Sequence, residues 1–170
     1  SFGAMLLDLY PKGTIDSVPY REGQDPLEIV NWFDSGNYMI RKNPSYSNLW
    51  IQGGTRARNF FAATPEKAPS LNKVPLVKWQ EGVFYAHSHT LNIPPAPNLL
   101  LALSHYKFTG VLHQKIAHAV ASGAYSGNSR LYHGYQQLLD RMRGDRRGFL
   151  GPQSLKFETA KDYEAAGLMW

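Results

Sequence analysis

The sequence predicts a mixed α/β protein in which an irregular sheet with long loops is followed by amphipathic helices. The first two thirds of the chain contain short apolar segments, most of them bounded by Gly or Pro, as expected for short strands. Residues 99–103 are apolar at consecutive positions, which is typical of a central strand buried on both faces. The last third changes to a helical period. With 170 residues, the chain is expected to form a single domain spanning residues 1–170.

The first element is the strand-like run FGAMLLDLY. Because an apolar strand begins within the first few residues, we expect the chain to be a fragment of a longer protein. Residues 25–28, DPLE, combine an N-cap aspartate with a proline and a carboxylate, and predict a short helix through about Phe33. Further strands are expected within residues 38–40, 48–52, 59–62, 74–79, 82–89 and 99–107.

Three helices are expected near the C-terminus. In residues 110–122, Leu112, Ile116, Ala119 and Val120 share one helical face. Residues 129–142 repeat this apolar spacing from Leu131 to Met142, and residues 158–166 form a shorter third segment that ends before a glycine. The spacing does not distinguish packing within the chain from packing on a second subunit.

Composition excludes several classes of protein. The chain has no cysteine, so it has neither disulfides nor thiolate metal sites, which fits a reducing compartment. No apolar run approaches the roughly 18 residues of a membrane-spanning helix, and we expect a soluble, cytoplasmic protein. The net charge of +5 weakly favours anionic partners. Residues 140–147 hold four arginines and two aspartates without interleaved aromatics, which predicts a solvated loop and no nucleic-acid partner.

Two histidine positions are candidates for chemistry. His87 and His89 would point to the same face of a strand, a spacing that suits a metal or an anion but is also common by chance. His105 follows the apolar segment 99–103, and ligands often collect at strand ends in open α/β sheets. A histidine that is simply hydrogen-bonded at the strand exit explains His105 equally well.

Charged residues give further candidates. Gly53 and Gly54 precede Arg56 and Arg58, which would share one face of an extended chain and suit phosphate or carboxylate. The alternative is a tight turn with solvated arginines. Lys73 could meet an anion or lie at an exposed strand edge. Asp8 interrupts an apolar strand, and is therefore expected to be exposed at the strand end or paired.

The order of four segments, NLWIQGGTRARNFF, LNKVPLVKW, YAHSHTL and LALSHYKFTGVLHQKI, resembles the C-terminal half of bacterial family 2 glycosyltransferases, in the branch whose N-terminal half has a GT-A nucleotide-sugar fold. The likeness covers about residues 1–169. It implies metal-dependent sugar transfer from a nucleotide-sugar donor to a carbohydrate or other hydroxyl acceptor. In that family a D-x-D motif holds Mn or Mg against the diphosphate. This sequence has no D-x-D, so we expect the chain alone neither to hold the donor well nor to catalyse transfer.

The resemblance also implies roles for particular residues. His105, and after it His89, would contact the metal or the diphosphate, and Lys107 would offset phosphate charge. Arg56, Arg58 and Lys73 are the further candidates for substrate binding. An inverting transferase needs a carboxylate base, for which Asp8, Asp25 and Asp34 are the nearest candidates.

Two other functions fit the same residues. One is a non-catalytic carbohydrate- or anion-binding module that uses Trp50, Trp79 and the two arginines. The other is a structural domain that docks on a partner. A D-x-D motif in an upstream extension would favour the transferase.

Overall fold

The computed structural model describes residues 1–17, 19–43, 45–125, 127–145 and 147–170, and within them the chain is a mixed α/β protein. The strands are β1 Phe2–Asp8, β2 Trp32–Asp34, β3 Tyr38–Asn43, β4 Asn48–Gly53, β5 Asn72–Leu76, β6 Tyr85–His87, β7 Thr90–Leu91, β8 Leu100–His105 and β9 Ser154–Lys156. The α-helices are α1 Val111–Ser122, α2 Arg130–Gly144 and α3 Ala160–Ala165. Single 3₁₀ turns lie at Ile15–Ser17, Pro26–Glu28, Ser45–Ser47 and Pro65–Lys67, and Arg56–Phe60 form one π-helical turn.

The largest sheet has three strands in the order β5-β1-β8. β1 is parallel to β8 and antiparallel to β5. The parallel register pairs Asp8 with His105, so these two residues lie side by side where both strands end. The remaining strands form three antiparallel pairs, β2 with β9, β3 with β4, and β6 with β7.

The position of β8 corrects one expectation. We expected residues 99–107 to contain the central strand, but β1 is central and its residues Ala4, Met5 and Leu7 are fully buried. β8 lies at one end of the sheet, and most of its residues are only partly buried. Within the described part of the chain, β8 is therefore not buried on both faces, although residues 99–103 are apolar at consecutive positions.

Two local expectations were wrong. The helix expected over residues 25–33 is a single 3₁₀ turn at Pro26–Glu28, because the chain then extends as β2 and pairs with β9. The strand expected over residues 59–62 is absent, since the π-helical turn Arg56–Phe60 occupies this region. In both places pairing and packing with distant parts of the chain override the local signal.

The three C-terminal helices are confirmed. α1 buries Leu112, Ile116 and Ala119, in agreement with its predicted face. α2 buries Tyr135, Leu139 and Met142, whereas Leu131 is exposed. α3 begins with a capping box, in which Asp162 accepts a hydrogen bond from the backbone of Thr159 at 2.8 Å.

The buried apolar side chains form two clusters. The first surrounds β1, β2 and the C-terminal segment, and includes Met5, Phe33, Ile51 and Tyr163. The second contains one face each of α1 and α2 packed against Tyr10, Phe108 and Phe149. No helix in the described ranges combines the length and the apolar character needed to cross a bilayer.

Candidate functional site

A cleft of about 460 Å3 opens where β1 and β8 end beside α1. Residues from β5, from the β6–β7 turn and from the start of α1 complete its walls. Six basic side chains line the cleft, namely Arg56, Lys73, His89, His105, Lys107 and Lys115. Among the described residues, no carboxylate lines this cleft. Its surface is therefore positive and suited to an anion.

Asp8 lies buried behind the cleft wall and contacts two residues that line the cleft, the buried Arg56 and the partly exposed His105. Arg56 donates from Nε to Asp8 Oδ2 at 2.6 Å and from Nη2 to Oδ1 at 2.9 Å. His105 Nδ1 lies 2.5 Å from Asp8 Oδ1. Because a carboxylate can only accept, Nδ1 carries the proton, and Nε2 is the ring nitrogen left available to the cleft. The network therefore fixes the tautomer and the orientation of His105.

The charge of Asp8 is stable in this environment. Burial alone would raise the pKa of Asp8, but the Arg56 guanidinium and the hydrogen bond from His105 outweigh it and hold the pKa far below its usual value. Of the two expectations for Asp8, exposed or paired, the structure shows the paired one. Both of its oxygens are occupied, so Asp8 helps to position Arg56 and His105 at the cleft.

Lys107 also lines the cleft and lies against an aromatic ring. Its Nζ is 3.9 Å from the centre of the Tyr135 ring, which is a cation–π contact. Burial, together with the nearby charge of Arg56, lowers the pKa of Lys107 to about 7. The protonated amine is therefore poorly compensated, and an anion entering the cleft would stabilise it.

Lys73 and His89 form the opposite wall and are held by backbone contacts. Lys73 Nζ donates to the carbonyl of Ser88 at 3.1 Å. His89 Nδ1 donates to the carbonyl of Asn72 at 2.7 Å, which leaves Nε2 available. Burial lowers the pKa of both side chains, and the charge of Arg56 adds to this effect. An anion in the cleft would counter that loss of charge.

Asp34 and Arg58 form a separate buried cluster. Arg58 donates to both oxygens of Asp34, at 2.9 and 2.8 Å, and Tyr10 donates its hydroxyl hydrogen to the same carboxylate at 2.5 Å. Arg58 also donates to the carbonyl of Phe149 at 2.7 Å. Neither Asp34 nor Arg58 lines the cleft. This cluster ties the end of β2 to the C-terminal part of the chain.

The two arginines therefore do not share a face as expected. The π-helical turn sends Arg56 to Asp8 and Arg58 to Asp34. Gly53 and Gly54 start this turn with φ of 133° and 57°. A Cβ on Gly53 would lie 2.0 Å from the carbonyl oxygen of Asn37. The glycines thus serve a close approach between two segments of the chain. The solvated arginines of the tight-turn alternative are not found, because both arginines are paired with buried aspartates.

The structure brings most of the predicted site residues together. Arg56, Lys73, His89, His105 and Lys107 line one cleft, with Asp8 behind it. His87 does not line the cleft, because β6 ends there and His89 lies in the following turn.

Lys115 was missed by the sequence reasoning. It lies on α1, eight residues after Lys107 and three after the buried Leu112. The signal in the sequence was a lysine beside the apolar face of α1, the first helix after β8.

The described residues do not form a site for a divalent cation by themselves. No group of three or more His, Asp or Glu side chains in these ranges could hold a metal ion. His105 and His89 could each supply one ring nitrogen, but Mn and Mg sites need oxygen ligands as well.

Comparisons of the chain with family models, curated proteins and solved structures gave no match. The assignment of a function therefore depends on the geometry of the cleft and on the resemblance in sequence.

Proposed function

We propose that this chain is the acceptor-side, C-terminal part of a metal-dependent glycosyltransferase with a GT-A-like fold, and that the cationic cleft binds the diphosphate of a nucleotide-sugar donor. The acceptor is a carbohydrate or another hydroxyl compound, and the reaction takes place in the cytoplasm. The absence of cysteine fits that compartment.

One observation carries this proposal: six basic side chains face one cleft that no described carboxylate lines. Asp8 neutralises Arg56, so the excess charge comes from three lysines and, when protonated, from two histidines. Such a density of positive charge is costly unless an anion offsets it. A single carboxylate would satisfy only part of it, whereas a diphosphate offers several oxygens to several donors.

The cleft residues would act on the leaving group. As the bond between the sugar and the diphosphate breaks, negative charge grows on the phosphate oxygens. Fixed cations stabilise this charge without reorganising. The stabilisation would be largest for Lys107, which lies against Tyr135. Among the residues that the structure describes, its protonated amine has no negative partner until charge develops on the phosphate oxygens.

The metal and the catalytic base stay predictions. A bound Mn or Mg ion would neutralise further charge on the diphosphate, with its oxygen ligands supplied by the diphosphate and by groups outside the described residues. Asp8 and Asp34 are each paired with an arginine, so either one could accept a proton only after that pair opened.

The proposal can be tested by titrating the chain with inorganic pyrophosphate in a calorimeter. We expect Lys73→Gln and Lys115→Gln each to weaken binding about tenfold, the equivalent of one charge-assisted hydrogen bond. Lys161→Gln, at an exposed position on α3 outside the cleft, is the matched control and should bind as the wild type does. UDP or GDP should compete with pyrophosphate. Equal binding by all three variants would refute the site, and the absence of competition by both nucleotides would refute a donor role.

The non-catalytic module is a second candidate, and one observation favours it. Trp79 is 58% exposed, which is unusual for so large an apolar side chain and typical of binding surfaces. Trp50, the other tryptophan expected on such a face, is only partly exposed. Pyrophosphate binding without competition by nucleoside diphosphates would support this candidate.

A further inference from the structure

A second group of exposed side chains is apolar. Four large side chains stand exposed between the end of β5 and the start of β6, namely Leu76, Trp79, Phe84 and Tyr85, and we call them the aromatic surface. Their exposed fractions are 55%, 58%, 51% and 43%. Contiguous exposed apolar side chains mark binding surfaces, and two of these four, Trp79 and Tyr85, are in contact with each other.

The aromatic surface is held rigidly. The Tyr85 hydroxyl donates to the carbonyl of Val74, which anchors its ring to β5. The rings of Trp79 and Tyr85 meet edge to face, with their centres 5.7 Å apart. Asn92 accepts from the backbone of Phe84 at 3.0 Å and donates to the carbonyl of Gly82 at 2.7 Å. A surface fixed in this way loses little conformational entropy when a ligand binds.

The charge around this surface is balanced. Residues 76–85 contain one lysine, Lys78, and one glutamate, Glu81, in a chain that carries +5 overall. Binding to an anionic bilayer would be strengthened by clustered Lys and Arg side chains, each worth about 1 kcal/mol. The balance favours a neutral ligand that presents an apolar face to the aromatic rings.

The aromatic surface and the cleft draw residues from the same two elements, β5 and the hairpin beside it. Lys73 and Leu76 lie on the same strand, and three residues of strand span about 10 Å. On the neighbouring hairpin, Tyr85 belongs to the surface and His89 to the cleft. A ligand of two or three sugar rings is long enough to lie on both.

We propose that the aromatic surface binds a neutral oligosaccharide segment of the acceptor, whose terminal hydroxyl is thereby directed toward the cleft. The rings of Trp79 and Tyr85 would pack against the C–H faces of pyranose rings. The orientation of the acceptor toward the cleft rests on the proposed function. Saccharide binding at Trp79 can be measured whether or not that function is correct.

The test uses the indole N–H signals of the four tryptophans in a two-dimensional NMR spectrum of the chain. The probes are maltotriose, cellotriose and chitotriose, each added to millimolar concentration. We expect at least one of them to shift the Trp79 signal with a millimolar Kd. Tyr85→Ala should weaken this binding at least fivefold. Trp170→Ala removes another exposed tryptophan outside the surface and should leave the binding unchanged.

Three results would overturn the inference. The first is that none of the probes shifts the Trp79 signal. The second is that Tyr85→Ala leaves the affinity unaltered. The third is that vesicles of phosphatidylcholine with phosphatidylglycerol bind the wild type but not Trp79→Ala, because the surface would then be a membrane contact. Since all the substituted side chains are exposed, circular dichroism should show an unchanged fold in each variant.

The failure of this inference and that of the proposed function are distinguishable. Pyrophosphate should bind Trp79→Ala as tightly as the wild type. If pyrophosphate binds and the saccharides do not, only the acceptor surface is refuted. If the saccharides bind and pyrophosphate does not, the donor site is refuted.

Discussion

Replacing Lys107 by methionine should stabilise the protein while weakening anion binding. The wild-type amine is half-buried against the Tyr135 ring, and burial lowers its pKa to about 7. Methionine keeps a similar apolar length and removes the charge. If Lys107 lowers the stability of the free protein, its role lies in the function of the cleft rather than in the fold.

The magnitude follows from the pKa. Lowering an amine pKa from 10.5 to about 7 corresponds to at most about 5 kcal/mol, at 1.36 kcal/mol for each pH unit. This cost is fully present below the folded-state pKa, and it disappears as pH rises from 7 toward the unfolded-state pKa, because only the unfolded chain then stays protonated. Lys107→Met also loses the cation–π contact, worth about 1–2 kcal/mol. We therefore expect a net gain of no more than about 3–4 kcal/mol at pH 6.

The assay is urea unfolding of the wild type and Lys107→Met at several pH values between 6 and 10. The variant should be more stable at pH 6, and the difference should shrink steadily above pH 7. Pyrophosphate binding to the wild type should weaken over the same interval, whereas binding to the variant should be weak throughout. A variant that is less stable at pH 6, or a stability difference that does not change with pH, would refute this account of Lys107.

Three further predictions concern the buried pair and two glycines. Asp8→Asn should lower the free energy of unfolding by about 3–5 kcal/mol, because Arg56 would stay buried without its counter-charge. The wild type should lose this advantage as pH falls below about 4, since the lowered pKa of Asp8 stabilises the fold only above the unfolded value. Urea unfolding tests both statements, with the exposed Asp140→Asn as control. Gly53→Ala should cost more than about 2 kcal/mol, because φ is 133° and the new Cβ would meet Asn37. Gly134→Ala, within α2 and with nothing near the new Cβ, should instead raise thermal stability by about 0.5–1 kcal/mol.

The helices were predictable because their signal is local. The apolar spacing from Leu112 to Ala119 specifies one face of α1, and the structure buries that face. The strand ends were less predictable, since pairing depends on distant residues. The helix expected through Phe33 fails because β2 pairs with β9, which lies more than 100 residues further along the chain.

The site was predictable in part for the same reason. His105 and Lys107 could be found because they leave an apolar strand, and strand ends are where side chains from different elements meet. The separate destinations of Arg56 and Arg58 could not, because nothing local indicates that the chain after Gly54 coils into a π-helical turn. Lys115 enters the cleft only through the packing of α1.

The two buried carboxylates explain why the cleft is so strongly cationic. Asp8 ends β1 and Asp34 ends β2, and each is neutralised by an arginine from the same π-helical turn. Both acids are therefore used to fix the turn against the sheet, and neither offsets the lysines of the cleft. Under the proposed function, a bound polyanion would offset the charge of these lysines. Because Asp8 also holds the His105 ring in place, the group that stabilises the fold also orients the imidazole at the cleft.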